Sequence, residues 1–324
     1  MPVLFSLLTI AILVALGFLA RKLDILSQEH TKGISSFVYY FALPALFFAK
    51  IANMNLWDFN QNLVIIFASL LPILVITFLL LILYVLKVIN KDTFVMLCLS
   101  IVFGSHVFFG IAFFEASFGK SGLDFAILTS SFLGPIGVVL SIFLFEFATN
   151  KSQYSQFILR VFANPLIIAI GIGCVCSLLN IHVAYLFNSL QMLGRTAGPL
   201  SIFVLGMFIY NSFSFEALKK SFMYSCFRLT TLPVVTYLLL LLLDVQYDMR
   251  QFLFLQSGVP VAISLAIHAE RFNYKSTEIS GMVIGTSLGS FPVLSVLVAY
   301  RSGPSFWCSH FRPHGGDPLV KALY

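Results

Sequence analysis

Long apolar segments recur along almost the whole chain, and short polar segments separate them. A helix needs about 20 mainly apolar residues to cross the hydrocarbon core of a bilayer. The pattern therefore predicts ten membrane-spanning helices, numbered spans 1 to 10 in chain order. Their expected bounds are 2–20, 33–53, 62–88, 94–117, 123–147, 165–187, 190–211, 219–243, 251–269 and 279–300. The other residues form short connections, apart from a polar stretch at 149–163 and a tail after Tyr300.

Composition indicates the same class of protein. Of the 324 residues, 59% are hydrophobic and 10% carry charge, whereas a soluble domain carries about 25% charged residues. This excludes a soluble enzyme, a disordered chain and a secreted disulfide scaffold, and it predicts an integral protein of the lipid bilayer. The net charge of +6 does not indicate nucleic-acid binding, because no basic cluster with interleaved aromatic residues is present. The five cysteines show no metal-ligand or redox spacing, so we expect no metal and no cofactor.

Basic residues are unevenly divided between the two sides of the predicted membrane. Loops after the odd-numbered spans hold 11 Lys and Arg residues, and the other side holds 6. Since cytoplasmic loops accumulate basic residues, both termini are expected outside, in the plasma or inner membrane of the cell. Span 1 begins almost at Met1 without the features of a cleaved signal peptide, so we expect it to be retained. Arg228 lies inside span 8, and we expect its side chain to extend towards the cytoplasmic water.

The two halves of the chain resemble each other at three points. The matching residues are Pro44 with Pro199, Pro72 with Pro233, and Thr129-Ser130 with Thr286-Ser287, at separations of 155, 161 and 157 residues. Each proline taken alone is also explained as a tolerated kink, since Pro is common in membrane helices. Together the matches predict a first five-helix repeat at 1–148, a short cytoplasmic linker at 149–163, a second repeat at 164–300 and an atypical tail at 301–324. Because five is odd, the second repeat enters the membrane inverted, which is typical of secondary transporters.

Spans 4 and 9 contain the residues that best interrupt a helix. In Gly104–Ala112 and Gln256–Val261, Gly and Pro weaken the helix while Ser, His and Gln are costly against lipid. Non-helical backbone at membrane depth occurs only where it lines a cavity or is buried in protein, so two crossed breaks are expected to form a central site. Half-helix N-termini favour negative charge, which indicates an anionic substrate. The candidate substrate-binding residues are Ser105, His106, Gly110, Asn164, Gln256, Gly258, Val259 and Pro260.

Two of these candidates have a second interpretation. Asn164 followed by Pro165 is also a typical helix start, with Asn as the cap and Pro at the first position. His106 is an ionisable residue in mid-span, which indicates a functional role. That role is either a substrate contact or a proton carrier.

Several motifs, in this order, resemble the auxin efflux carrier family, which includes plant PIN-type carriers and bacterial malate-permease-like proteins. The resemblance rests on Gly17–Leu23, Leu43–Leu46, Asn164-Pro165, Gly198–Ser201, and Gln256–Pro260 followed by Ser280, Thr286 and Pro292. It implies an all-helical inverted-repeat carrier in which spans 1, 2, 6 and 7 form a scaffold, often as a homodimer, and the other six form a mobile transport unit. It also implies a carboxylate site where helices 4 and 9 cross, near Ser105 and Asn164. The chain departs from the family at Ala112, where the family usually has Pro, and it lacks the long cytoplasmic loop of many plant members.

We therefore expect a secondary transporter that moves a small organic anion by alternating access, with an elevator-type motion. A sodium-coupled symporter of the bile-acid type is less favoured, because no Asp or Glu lies near the middle of the spans to form a sodium cage. An enzyme is not expected, since no two spans supply a His-Asp pair or a metal cluster. A non-transporting membrane receptor or regulatory protein remains the alternative of a different class.

Overall fold

The structure is a computed structural model that describes residues 2–53, 59–149, 164–179, 181, 184–243, 245 and 247–301. Within these ranges the chain is helical and forms no strand beyond one isolated bridge. The helices are α1 Pro2–Lys22, α2 Gln28–Phe37, α3 Leu43–Ile51, α4 Phe59–Val85, α5 Lys91–Val102, α6 Ile111–Thr149, α7 Pro165–Leu178, α8 Ala184–Gly194, α9 Ala197–Ser212, α10 Phe215–Leu242, α11 Tyr247–Ser257, α12 Ile263–Phe272 and α13 Ser276–Arg301. Two π-helical turns, Val38–Ala42 and His106–Gly110, join α2 to α3 and lead into α6.

Seven of the described helical segments are long and apolar enough to cross a membrane. They are Phe5–Lys22, Gln28–Ile51, Leu63–Val85, His106–Thr149, Tyr185–Ser212, Phe215–Leu242 and Ser276–Leu297. Predicted span 6 corresponds to α7, which at 14 residues is shorter than each of these seven segments. Predicted span 9 is divided between α11 and α12. The membrane-protein class is thus supported, while the number of ten spans stays a prediction.

The long segment that includes α6 changes direction at one residue. Gly119 has φ 60° and ψ −136°, outside the helical region. Glycine adopts this conformation without the steric penalty of a Cβ. The turn lies between the predicted end of span 4 and the predicted start of span 5, so two predicted spans meet within one long helical segment.

The predicted boundary between spans 6 and 7 is wrong. The helix predicted for 165–187 ends at Leu178, and α8 begins at Ala184, before the predicted start at 190. A turn at Arg195-Thr196 then separates α8 from α9. After α7 the polar residues Asn180 and His182 alternate with apolar ones, and single polar residues do not lower the mean hydropathy enough to mark a helix end. Residues 150–163 and 302–324 of the predicted linker and tail lie outside the described residues.

Large apolar side chains cover the outer faces of several helices. On α4, Phe67 is 68% exposed and Phe78 is 62% exposed, and Val234 and Leu238 are exposed on α10. Leaving one large apolar side chain in water instead of burying it costs about 1.5–3 kcal/mol. A repeated apolar surface of this kind is stable against lipid tails, which supports an integral membrane protein.

The helices pack in two groups. In the first, α1 lies along α9, and the α2–α3 segment packs on α7, α8 and α9. Gly17 and Gly206 allow the close approach of α1 and α9, because a Cβ at either position would overlap the backbone of the other helix. In the second group, α10 lies along α13, α4, α5, α11 and α12 pack around this pair, and α6 packs on α4, α5 and α12. The interrupted helices belong to the second group, and a pocket described below lies between their interruptions and the first group.

Candidate functional site

Two helix interruptions lie side by side at the centre of the second group. The first is Phe103–Ser105, after α5, and the second is 258–262, between α11 and α12. Ser105 N–H donates to the carbonyl of Pro260 at 2.7 Å, and Ala262 N–H donates to the carbonyl of Phe103 at 3.0 Å. Backbone N–H and carbonyl groups in the interruptions have no partner within a helix, and here they form hydrogen bonds with each other. Backbone at membrane depth requires such internal partners. These two segments are named the crossing.

The hydrogen bonds of the crossing are related by a constant shift along the chain. Adding 157 residues converts Phe103 to Pro260 and Ser105 to Ala262, so each of the two bonds becomes the other. These are the two bonds of the isolated antiparallel bridge between Gly104 and Val261, and every antiparallel bridge has this local two-fold symmetry. The informative quantity is the separation of 157 residues, because it equals the spacing of the Thr-Ser pairs in the two halves of the sequence.

The two Thr-Ser pairs also contact the crossing. Ser130 Oγ donates to the carbonyl of His106 at 3.1 Å. Val261 N–H donates to Thr286 Oγ1, also at 3.1 Å. One hydroxyl of α6 therefore bonds to the residue that follows the first interruption, and one hydroxyl of α13 bonds to a residue of the second interruption.

A buried arginine joins the ends of the interrupted helices. Arg228 on α10 is 0% exposed. Its Nη1 donates to the carbonyls of Ser100 at 2.6 Å and Ile101 at 2.8 Å. Its Nε and Nη2 donate to the carbonyl of Val259 at 3.3 and 2.9 Å. The expectation that this side chain extends to cytoplasmic water is wrong, because three backbone carbonyls satisfy the guanidinium inside the protein.

One pocket lies between the crossing and the first helix group. Its polar lining residues are Tyr39, Ser105, Asn164 and Ser264. The helical turn that follows Ser105 borders the pocket near its N-terminal end, at Val107, and α12 borders it at its own N-terminal end, at Ser264. No residue that lines it carries a charge. This front pocket therefore combines two partially positive helix ends with hydroxyl and amide groups.

Two front-pocket side chains also cap helices. Ser105 Oγ accepts from Phe109 N–H at 3.3 Å. Asn164 Oδ1 accepts from Leu166 N–H at 2.9 Å, as the cap interpretation of Asn164 requires. The Ala262 cap of α12 supplies no side-chain hydrogen bond. Of the two helix ends at the front pocket, the one at Ser105 is therefore capped by a side chain, and the one at Ala262 is not.

A second pocket, the rear pocket, lies between α4, α10 and α11. Its lining includes Ser69, His106, Thr236 and Gln256. Gln256 Oε1 accepts from Ser69 Oγ at 3.4 Å. His106 is 4% exposed, and neither ring nitrogen has a hydrogen-bond partner among the described residues.

Comparison with known proteins identifies the family. The model of the membrane transport protein family, the auxin efflux carrier type, matches residues 2–298. The chain belongs to this family. It is also 27% identical to the lysosomal cholesterol signaling protein of Mus musculus, in an alignment that covers 96% of this chain. The chain spans 38% of the length of that relative. The resemblance drawn from the sequence motifs is confirmed, and members of the family are transporters and not enzymes.

In this member of the membrane transport family, the eight candidate residues fall into three sets. Ser105 and Asn164 line the front pocket, and His106 and Gln256 line the rear pocket. The other four, Gly110, Gly258, Val259 and Pro260, line neither pocket. The substrate role of all eight residues stays a prediction.

The four candidates outside the pockets shape the backbone of the crossing. Gly110 N–H donates to the carbonyl of Ser105 at 2.9 Å, and the carbonyls of Val259 and Pro260 accept the bonds described above. A Cβ on Gly258 would lie 2.8 Å from Leu294 Cδ2, so glycine permits close packing on α13. The contacts of these four residues are thus with the protein itself and not with a pocket.

Two residues that the sequence analysis did not count among the candidates lie at the front pocket and at the crossing. Tyr39 lies in the front pocket, within hydrogen-bonding reach of Asn164. No local signal distinguishes Tyr39 from other aromatic residues. Arg228 did carry a signal, because an ionisable residue inside a span indicates a functional position by default.

Proposed function

We propose that the protein is a secondary carrier that moves a small organic anion across the membrane by alternating access. The observation that carries this proposal is the front pocket, an uncharged cavity that is bordered by two half-helix N-termini. Backbone N–H groups and the helix dipole favour an anion at such ends. Asn164, Tyr39 and Ser264 would add hydrogen bonds to a carboxylate and to the rest of a small ligand.

We further propose the ten-span inverted repeat, with both termini outside and an elevator motion of the second helix group. The repeat is supported by the pairing of Gly104 with Val261, because their separation of 157 residues equals the spacing of the two Thr-Ser pairs. The elevator motion is supported by the position of the front pocket, since Tyr39 and Asn164 come from the first group and Ser105 and Ser264 from the second. Movement of one group against the other would open the pocket to either side. The first group would then serve as the stationary scaffold and as the contact in a homodimer.

Uptake into reconstituted vesicles tests the carrier function. A panel of labelled carboxylates, including auxin and malate, should contain at least one substrate. Ser264→Asp places a negative charge in the front pocket and should abolish uptake of that substrate, because like charges repel at short range in a low dielectric. Ser264→Asn, which is similar in size and neutral, is the matched control and should retain uptake. Equal uptake by the two variants would show that the anion binds elsewhere.

A membrane receptor for an apolar lipid is the second candidate function. A groove of about 880 Å³ between α1, α9 and α13 is lined only by apolar residues, among them Ala15, Phe18 and Phe291. The name of the mouse relative refers to cholesterol signalling in the lysosome. A photoreactive sterol in vesicles should then label the protein, and Ala15→Trp should reduce labelling by filling the groove. Sterol labelling without uptake of any carboxylate would favour the receptor, and detection of the protein in lysosomes would replace the expected location in the cell membrane.

A further inference from the structure

The buried guanidinium of Arg228 has no acidic partner. Among the described residues, no ion pair includes Arg228. Its hydrogen bonds all go to backbone carbonyls. Burying a charge without compensation costs several kcal/mol. The compensation must therefore come from the carbonyl oxygens that surround it.

These carbonyls mark the C-terminal ends of two half-helices. Ser100 and Ile101 lie in the last turn of α5, and Val259 lies two residues after the end of α11. The last four carbonyls of a helix have no partner within it, and that end of the helix carries partial negative charge. In transporters with interrupted helices, such carbonyls and helix ends coordinate the coupling cation. The crossing thus contains the oxygen ligands of a cation site, and Arg228 supplies the positive charge.

We propose that Arg228 is a tethered cation, whose guanidinium occupies a cation site formed by the carbonyls of Ser100, Ile101 and Val259 and holds the crossing together without bound sodium. One consequence of this inference is that substrate movement needs no sodium, and this consequence rests on the proposed carrier function. Occupation of the site by the guanidinium does not depend on that function.

The surroundings of Arg228 fit a permanent occupant. A Cβ on Gly104 would lie 2.7 Å from Nη2, so a glycine in the first interruption leaves the space that the guanidinium fills. The first repeat has no second tethered cation at the matching place. Phe67 precedes Arg228 by 161 residues, the spacing of the matched prolines in α4 and α10, and it is apolar and 68% exposed. Because α10 packs with α5 and α11, the charge would move together with the crossing.

Thermal unfolding of the purified protein in detergent tests the occupied site. The wild type should unfold at the same temperature in sodium chloride and in choline chloride. Arg228→Ala should lower the unfolding temperature by about 5–10 °C, and millimolar methylguanidinium chloride should restore part of this loss. The matched control is Leu229→Ala, which opens a cavity on the same helix where Leu229 contacts α13 near Gly289. That variant should lose stability and recover none of it with methylguanidinium.

A second pair of variants covers the outcome that Arg228→Ala does not fold. Arg228→Lys keeps a positive charge, whereas Arg228→Met keeps an apolar chain of similar length. The Lys variant should be clearly more stable than the Met variant. Equal stability of the two variants, or a saturable stabilisation of the wild type by sodium, would overturn the proposal, and the wild-type comparison decides it even if both variants fail to fold.

Sodium replacement in the uptake assay separates this inference from the carrier function. Where a carboxylate is transported, its uptake should be equal in sodium and choline buffers, and loss of uptake in choline would contradict a tethered cation. Absence of all carboxylate uptake would overturn the carrier function. The unfolding experiments would still decide whether Arg228 occupies a cation site.

Discussion

Replacement of Gly104 by Ala should disrupt the crossing through one added methyl group. The new Cβ would lie 2.7 Å from Arg228 Nη2 and 2.9 Å from His106 Cε1, with His106 Nε2 closer still. Cβ atoms in proteins essentially never approach other atoms closer than 3.0 Å. Both side chains are almost fully buried, so each must shift within a packed interior.

The cost can be worked from these contacts. Overpacking a well-packed interior by one methyl group costs about 1–3 kcal/mol. If the guanidinium turns away from Val259, one hydrogen bond to a charged group is lost, and this adds about 1.5–3 kcal/mol. The reduced freedom of the unfolded chain offsets about 0.4–1 kcal/mol, since Ala is less flexible than Gly. We therefore expect a net loss of about 2–5 kcal/mol in the free energy of unfolding.

Differential scanning fluorimetry of the purified variants in detergent measures this loss. Gly171→Ala is the matched control, because Gly171 lies within α7 and a Cβ there meets no atom within 4 Å. Its stability should be unchanged or higher, since Ala is a better helix former than Gly. A Gly104→Ala variant as stable as Gly171→Ala would refute the tight packing of Arg228 and His106 around the crossing.

Two further predictions concern contacts around the front pocket. Lys50 Nζ lies 2.9 Å from Asp124 Oδ1 and joins α3 of the first helix group to α6 of the second. Because a partly exposed ion pair typically contributes about 0.2–1 kcal/mol, Lys50→Ala should shift the balance between inward and outward states by about 1.4- to 5-fold; unchanged labelling of an introduced front-pocket cysteine from both sides would contradict this. Asn164→Asp should preserve the cap of α7, while its negative charge abolishes anion uptake. Asn164→Ala should instead lose about 1 kcal/mol of stability with the cap; equal uptake by the Asp and Ala variants, measured beside thermal unfolding, would remove Asn164 from the anion site.

Local sequence features account for the class of the protein and the position of its breaks. A run of about 20 apolar residues is stable as a helix in lipid whatever it contacts, because all its backbone hydrogen bonds are internal. The same local reasoning located the break near Pro260, because Gly and Pro weaken a helix wherever they occur. In span 4 it favoured Gly110, whereas the helix is interrupted at Phe103–Ser105 and Gly110 lies inside the helical turn that follows. It also failed at the end of α7, where Asn180 and His182 are single polar residues between apolar ones.

Local sequence features do not predict the grouping of polar residues. Ser105 and His106 are adjacent in the chain, yet they line different pockets because their side chains leave the crossing in different directions. Asn164 and Tyr39 are distant in sequence and meet only where α7 packs against the α2–α3 segment. The division of the candidates into front and rear pockets therefore depended on helix packing.

The sequence by itself determined a helical membrane protein of the transporter type, interrupted in two corresponding places, because helix length, apolarity and helix-breaking residues act locally. Only the tertiary structure decided what satisfies the polar groups that the interruptions leave. Arg228 bonds to Ser100 and Val259, which lie 128 residues before it and 31 residues after it. A buried charge is stable only if such distant carbonyls converge on it, and that convergence is a property of the packed helices.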